Sequence, residues 1–196
     1  DYAEVHYNLG NVLKTIGDLD KAIDSYKSAI KFKPDYADAY SNMGDAKQSN
    51  GDLQGAIQGY NDAIKLNPNY AEAHYNMGVA LEEKVDPQAA IESYKQAIKI
   101  KPNFAEAYSN MGNAQQQMGD LEAATDSYKQ AIEIKPDYVE VYYNLGNILQ
   151  ERGNLRSSIE NYKKAIDIKP DFVEAYTNLG SAFKKKGDLE VAIENF

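Results

Sequence analysis

The sequence repeats itself every 34 residues without one insertion or deletion. The first copy, Asp1 to Pro34, restarts at Asp35, Asn69, Asn103, Asp137 and Asp171; five full copies and a sixth of 26 residues fill all 196 positions. A fixed period of this length specifies a stacked array in which each unit buries its apolar face against its neighbours. The expected organisation is therefore one array over 1–196, with repeats 1–34, 35–68, 69–102, 103–136, 137–170 and a shortened 171–196.

Each copy reads as two helices. Asp or Asn at position 1, just after the preceding proline, is the expected cap of the first helix, because a short acceptor side chain satisfies unpaired backbone N–H groups. Apolar and small residues then recur at helical spacing, as Val5, Leu9, Gly10 and Leu13 in the first copy. Position 17 is glycine in five copies, which suits a helix ending on a left-handed residue. A second cap follows at Asp18, Asp52, Asp86, Asp120, Asn154 and Asp188. The second helix is expected to bury Ala22, Ile23, Tyr26, Ala29 and Ile30 and their equivalents, and proline closes each full copy. Such helices are too short to be stable alone in water, so stacking must stabilise them.

The aromatic, small and proline positions (Leu9, Gly10, Ala22, Tyr26, Ala29 and Pro34; then Met43, Gly44, Ala56, Tyr60, Ala63 and Pro68) form a signature that continues through the chain. In it the sequence resembles the tetratricopeptide repeat family. The tryptophan usual at position 6 is replaced by His6, Tyr40, His74, Tyr108, Tyr142 and Tyr176. The resemblance implies an all-α, right-handed superhelical solenoid of antiparallel helix pairs, with first helices lining a concave groove. The segment Ser109–Asn113 also resembles segments in the repeat domain of the O-linked N-acetylglucosamine transferase.

Departures from the pattern mark expected weak points. The second repeat carries Gly55 and Gly59 in its second helix, each costing about 0.5–1 kcal/mol relative to alanine, and Lys47 where a large apolar residue belongs. It is expected to open most easily. In the third repeat Val85 replaces the turn glycine and Pro87 follows Asp86, so an altered turn is expected ahead of a normal helix start.

Function must be read from the array's faces. The resemblance places positions 4, 7, 8, 11, 14 and 15 on the concave side. Position 8 is asparagine in every copy: Asn8, Asn42, Asn76, Asn110, Asn144 and Asn178. A side-chain amide carries donor and acceptor together and can pair with a peptide unit at two points. First helices about 10 Å apart match about three residues of extended chain, so the row suits backbone recognition of a polypeptide. The same amides equally suit bonds between adjacent helices, and both readings stand at this point. Position 7 alternates as Tyr7, Ser41, Tyr75, Ser109, Tyr143, Thr177, which suggests a 68-residue double unit with a tyrosine anchor in every second repeat. Asn11, Asn113 and Asn147 complete the candidate contacts.

The groove positions are acidic. Glu4, Asp38, Glu72, Glu106, Glu140 and Glu174 at position 4, with Asp45, Glu82, Glu83 and Glu151, stand against Lys14, Lys184 and Lys185, leaving −7. A neutral or basic extended protein or peptide is therefore the expected partner. A basic carboxylate clamp, which the family sometimes uses, is not expected. A whole-chain net charge of −9 makes nucleic acid an unlikely ligand. No apolar run approaches the roughly 18 residues of a membrane span, and the absence of cysteine removes thiolate chemistry. His6 and His74, the two histidines, occupy the aromatic signature position and are expected to pack. No nucleophile elbow or phosphate loop is present, so no catalytic residue, metal or cofactor is expected. The expected function is an interaction scaffold, in an intracellular setting. Alternatives are the substrate-recruiting arm of a larger glycosyltransferase and a homo-oligomer stacked through open ends around Ala192, Ile193 and Phe196.

Overall fold

A computed structural model describes residues 2–195, and the described residues contain twelve α-helices and no strand. The chain divides at a repeat boundary into two compact units, Asp1–Pro102 and Asn103–Phe196. The first holds α1 (Tyr2–Thr15), α2 (Leu19–Phe32), α3 (Ala37–Ser49), α4 (Leu53–Leu66), α5 (Ala71–Glu83) and α6 (Pro87–Ile100). The second holds α7 (Ala105–Gln117), α8 (Leu121–Ile134), α9 (Val139–Glu151), α10 (Leu155–Ile168), α11 (Val173–Lys186) and α12 (Leu189–Glu194). Odd and even helices pair within each repeat. Phe196, one of the end-face residues, lies outside the described residues, as does Asp1.

A tight Schellman turn makes each pair antiparallel. The amide of Asp18 bonds the Leu13 carbonyl at 3.0 Å, and Gly17 bonds Lys14 at 3.1 Å with φ +82°. The cap at position 18 then starts the second helix: Asp18, Asp52, Asp86, Asp120 and Asn154 each accept from the amide three residues on. At the far end, the residue before the proline is held extended, as Lys33 is at φ −136°, and the helix stops.

Two expectations are corrected. Position 1 does not cap the first helix. The N-cap is the aromatic at position 2 (Tyr36, Tyr70, Phe104, Tyr138, Phe172), and none supplies a side-chain hydrogen bond. Proline and a turn come first, so position 1 falls too early; the Asp35 carbonyl accepts from Ala37 instead of its carboxylate, at 3.1 Å. The aromatic also takes the lysine of the preceding proline turn, with Lys33 4.6 Å from the Tyr36 ring and Lys135 4.5 Å from Tyr138. The second correction concerns Val85, whose turn is not altered. Asp86 bonds Leu81 at 2.9 Å as in every other copy, and Val85 itself adopts φ +62°. Stacking of the helix pair holds the turn, and the β-branched side chain absorbs the strain while 82% exposed.

Between paired helices the buried residue is the tyrosine at position 26. Tyr26, Tyr60, Tyr94, Tyr128 and Tyr162 are at most 1% exposed and are the largest fully buried side chains. Each ring lies on the glycine of the facing helix: a Cβ at Gly10 would sit 2.6 Å from the Tyr26 ring, and Gly44, Gly78, Gly112 and Gly146 repeat the arrangement. The glycines of the second repeat play different parts. At Gly59 a Cβ would stand 2.9 Å from the Tyr40 carbonyl, so α3 and α4 touch by backbone there. At Gly55 it would meet only the Asp52 cap side chain, and Lys21, Ala89, Ala123 and Ser157 occupy that place beneath the same cap.

Gly55→Ala is therefore expected to stabilise the chain by about 0.5–1 kcal/mol, and Gly59→Ala to destabilise it by about 1–3 kcal/mol. Urea titration of both variants checks the opposite signs. Val85→Gly relieves a left-handed penalty of about 1–2 kcal/mol and gives back part of it as chain entropy. A higher thermal midpoint than wild type is the expected result.

Candidate functional site

The tyrosine hydroxyls position the first-helix face. Each reaches back to polar residues of its own first helix at positions 11 and 14. Tyr26 donates to Asn11 at 2.8 Å; Tyr60 to Asp45 (3.0 Å) and Gln48 (2.8 Å); Tyr128 to Asn113 (2.7 Å) and Gln116 (3.2 Å); Tyr162 to Asn147 (2.8 Å) and Gln150 (3.0 Å). Burial pushes the Tyr26, Tyr60 and Tyr162 hydroxyls up, the last to about 12, so they remain protonated donors.

The position-8 asparagines of the next repeat close on the same acceptors. Asn42 Nδ2 donates to Asn11 Oδ1 at 2.9 Å, Asn76 to Asp45 at 3.0 Å, Asn144 to Asn113 at 3.2 Å and Asn178 to Asn147 at 2.9 Å. One oxygen at position 11 thus receives its own repeat's tyrosine and the next repeat's asparagine. Asn11, Asn113 and Asn147 are these shared acceptors. In the first copy Asn8 is exposed, and Asn110 is half-buried on α7. For Asn42, Asn76, Asn144 and Asn178 the amide nitrogen is engaged between repeats, which leaves the side-chain carbonyl as the group to offer a ligand.

The alternation at position 7 also has a packing basis. The Tyr7 ring lies 6.1 Å from Tyr26 and 4.9 Å from Tyr36 of the next repeat; Tyr143 lies 6.1 Å from Tyr162 and 5.0 Å from Phe172. Their hydroxyls accept from Asn42 and Asn178 at 3.0 and 3.1 Å. Where position 7 is the small Ser41, the next aromatic, Tyr70, settles inward, and burial followed by the Asp38 carboxylate pushes its hydroxyl up. Tyr75 packs with its ring tilted against Tyr94, 5.8 Å between centroids, and is half-buried.

Two clefts open on this face at equivalent positions. The first, about 420 Å³, lies between α3 and α5 and is walled by Asp45, Gln48, Tyr60, Tyr75, Asn76 and Glu83. The second, about 270 Å³, lies between α9 and α11 against Asn147, Gln150, Glu151, Tyr162, Asn178 and Lys185. Part of the acid charge counted in the sequence is balanced. Lys14 bridges to Asp45 at 3.1 Å, and Glu72 and Glu106 meet Lys101 and Lys135, the lysines ahead of the proline, at 2.9 and 3.9 Å. Glu83 accepts from Gln48 at 2.6 Å and faces the first cleft.

The third repeat departs from the network. Position 11 is Val79, so the Tyr94 hydroxyl turns to Glu82, where the other repeats use glutamine or lysine. Burial raises the Glu82 carboxyl despite that hydrogen bond. The two histidines sit in the packing. His6 stacks on Phe32 at 5.5 Å, and buried His74 places Nε2 3.2 Å from the Pro68 carbonyl, as the Tyr142 hydroxyl does with Pro136. Among the described residues no three His, Asp or Glu side chains gather as a metal site, and no helix is long and apolar enough to cross a membrane.

The family described as TPR repeat matches residues 11–51, 44–85, 88–119, 117–153 and 146–187. The chain belongs to the TPR repeat family. Among solved structures it is similar to MamA, with 35% identity over 79% of this chain and 90% of that one, and a TM-score of 0.76. YrrB, described as a TPR protein with an unusual peptide-binding site, shares the fold at 24% identity over 87% and 88% of the two chains, TM-score 0.74. Pseudomonas aeruginosa PilF shares it at 16% identity over 99% and 88%, TM-score 0.86. No curated protein matches the chain significantly.

Sequence reasoning named the asparagines but missed their acceptor pairing through the buried tyrosine. The available signal was an acceptor at position 11, fifteen residues before the position-26 tyrosine, in four copies.

Glu82→Gln restores the side chain used at Gln48, Gln116 and Gln150. A carboxyl raised in the folded state holds its proton more tightly there than unfolded, so its contribution falls as pH climbs above the unfolded value of about 4.3. The variant should match wild type near pH 4 and exceed it in denaturation midpoint at pH 7. A difference that stays constant over that range would contradict the assignment.

Proposed function

We propose that this chain is a protein-interaction scaffold, itself non-catalytic, whose first-helix face receives extended, neutral or basic segments of partner proteins. The observation that carries the reading is the recurrence of a cleft at the same repeat positions in each unit, between α3 and α5 and between α9 and α11. Each cleft has an asparagine whose nitrogen is already held by the neighbouring repeat. Its orientation is fixed by that bond, so its carbonyl oxygen can accept a peptide N–H with little entropy cost. The pairing is one-point, carbonyl to peptide amide, in place of the two-point pairing expected from sequence. Tyr75 walls the first cleft, and Tyr7 and Tyr143 border the asparagines of their own units; all three offer rigid aromatic area beside a polar tip. Glu83 and Glu151 supply the preference for a basic segment. YrrB presents its peptide site on this same fold.

The test is fluorescence anisotropy with a library of extended peptides of basic, neutral and acidic composition. It compares the wild type, Glu83→Lys with Glu151→Lys, and Asn76→Ala with Asn178→Ala. The charge-reversed variant, altered at exposed residues, should lose affinity for basic peptides by about tenfold or more, equivalent to about 1.4 kcal/mol. The asparagine variant should weaken basic and neutral peptides alike while its circular dichroism stays helical. Basic peptides that bind the wild type and both variants equally would place recognition elsewhere.

A further inference from the structure

Away from these cleft residues, the second unit carries a pocket with another chemistry. Between the second helices α8 and α10 of the second unit lies a cleft of about 550 Å³, large enough for one or two side chains of a partner. Its floor is apolar, formed by Leu145 and Leu149 of α9 with Thr125 of α8. The opening traces to one residue. Position 23 is isoleucine in every repeat but the fourth (Ile23, Ile57, Ile91, Ile159 and Ile193), where it is Thr125. In three of those repeats the isoleucine packs in one apolar cluster with the next repeat's position-9 residue: Ile23 with Met43, Ile57 with Met77, and Ile159 with Leu179. Thr125 gives Leu145 a smaller partner. Its hydroxyl is turned back onto the Leu121 carbonyl at 2.7 Å, leaving the methyl for the floor.

The rim is cationic on a chain of net charge −9. One of the protein's two arginines, Arg152, lines it, and the other, Arg156, lies on the same helix as the rim residue Glu160. Arg156 is occupied by Glu160 at 3.2 Å, which also satisfies the carboxylate of the rim. Arg152 is exposed and has no ion pair among the described residues, and it lines the cleft. Lys129, on the other wall, has only a long 3.5 Å contact to Asp126. Asn161, which donates to the Ser157 carbonyl at 2.8 Å and keeps its own carbonyl as an acceptor, lines the cleft together with Arg152. An apolar floor below a guanidinium and an ammonium complements an apolar side chain with a carboxylate beside it. The guanidinium fork suits a carboxylate in particular.

We propose that this cleft is a second binding site, for a partner polypeptide segment that presents an apolar side chain next to an aspartate or glutamate. Its charge preference is opposite to that of the first-helix face, and the two sites can be occupied at once. The scaffold would then join a basic segment at one site to an acidic, apolar one at the other.

The probe is a displayed library of random heptapeptides selected on the full chain, with Thr125→Ile as counter-selection. Thr125→Ile installs the residue that the five other repeats carry, and Arg152→Glu alters an exposed side chain, so both should melt like the wild type. Enrichment of sequences with Leu, Ile, Met or Phe within two positions of Asp or Glu is expected. Affinity should fall about tenfold or more on each variant, with binding of basic peptides to the first-helix face unchanged. Absence of enrichment over Thr125→Ile would overturn the proposal. So would selected peptides that keep their affinity for Arg152→Glu.

Discussion

The structure depends on a tyrosine buried between two helices with its hydroxyl satisfied. A ring of that size can enter only where the facing helix has no side chain, which the glycine at position 10 provides. Once inside, an unpaired hydroxyl would cost about 1–3 kcal/mol. The acceptors at positions 11 and 14 remove that cost, and burial keeps the hydroxyl protonated so that it always donates. Glycine, tyrosine and a polar acceptor therefore form one unit of specification, repeated from Tyr26 to Tyr162. Removing any one member leaves a clash, a cavity or an orphaned polar group.

The same acceptors connect one repeat to the next. Asn11 Oδ1 takes Tyr26 from its own helix pair and Asn42 from the following one, and Asp45, Asn113 and Asn147 repeat the arrangement. The intra-repeat and inter-repeat bonds share an atom, so the stability of a pair and the register of its neighbour are coupled. The coupling also prepares the surface. An asparagine held by its nitrogen presents its oxygen in a fixed direction, and fixed acceptors lose less entropy on binding than mobile ones. In the third repeat Val79 supplies no acceptor and Tyr94 donates to Glu82, a carboxyl kept in a place that favours the neutral form.

Much of this was legible before any coordinates. The 34-residue period, the caps at position 18, the left-handed turn and the buried Ala22, Tyr26 and Ala29 follow from spacing and residue type, because each depends on chain neighbours within a turn or two. The first-helix cap was misplaced because proline and a turn displace the helix start, and an aspartate close to a helix looks the same whether or not its carboxylate reaches an amide. Val85 was misjudged for a related reason. Local preference argues against φ +62° for a β-branched residue, and the packed helix pair overrides it.

What the sequence determined, then, is the family, the helix pairs and the residues that must be buried, since periodicity and local conformational preference are properties of neighbouring residues. Tertiary structure decided which atoms of those residues remain for a partner. The 31-residue separation between Asn42 and Asn11, or between Asn178 and Asn147, becomes a hydrogen bond only when repeats stack, and it is this bond that engages the nitrogen and leaves the oxygen. The cleft over Leu145 has the same origin. A threonine in place of isoleucine is a small change on paper, and it becomes a cavity only because the helices around it are held in place by their other contacts.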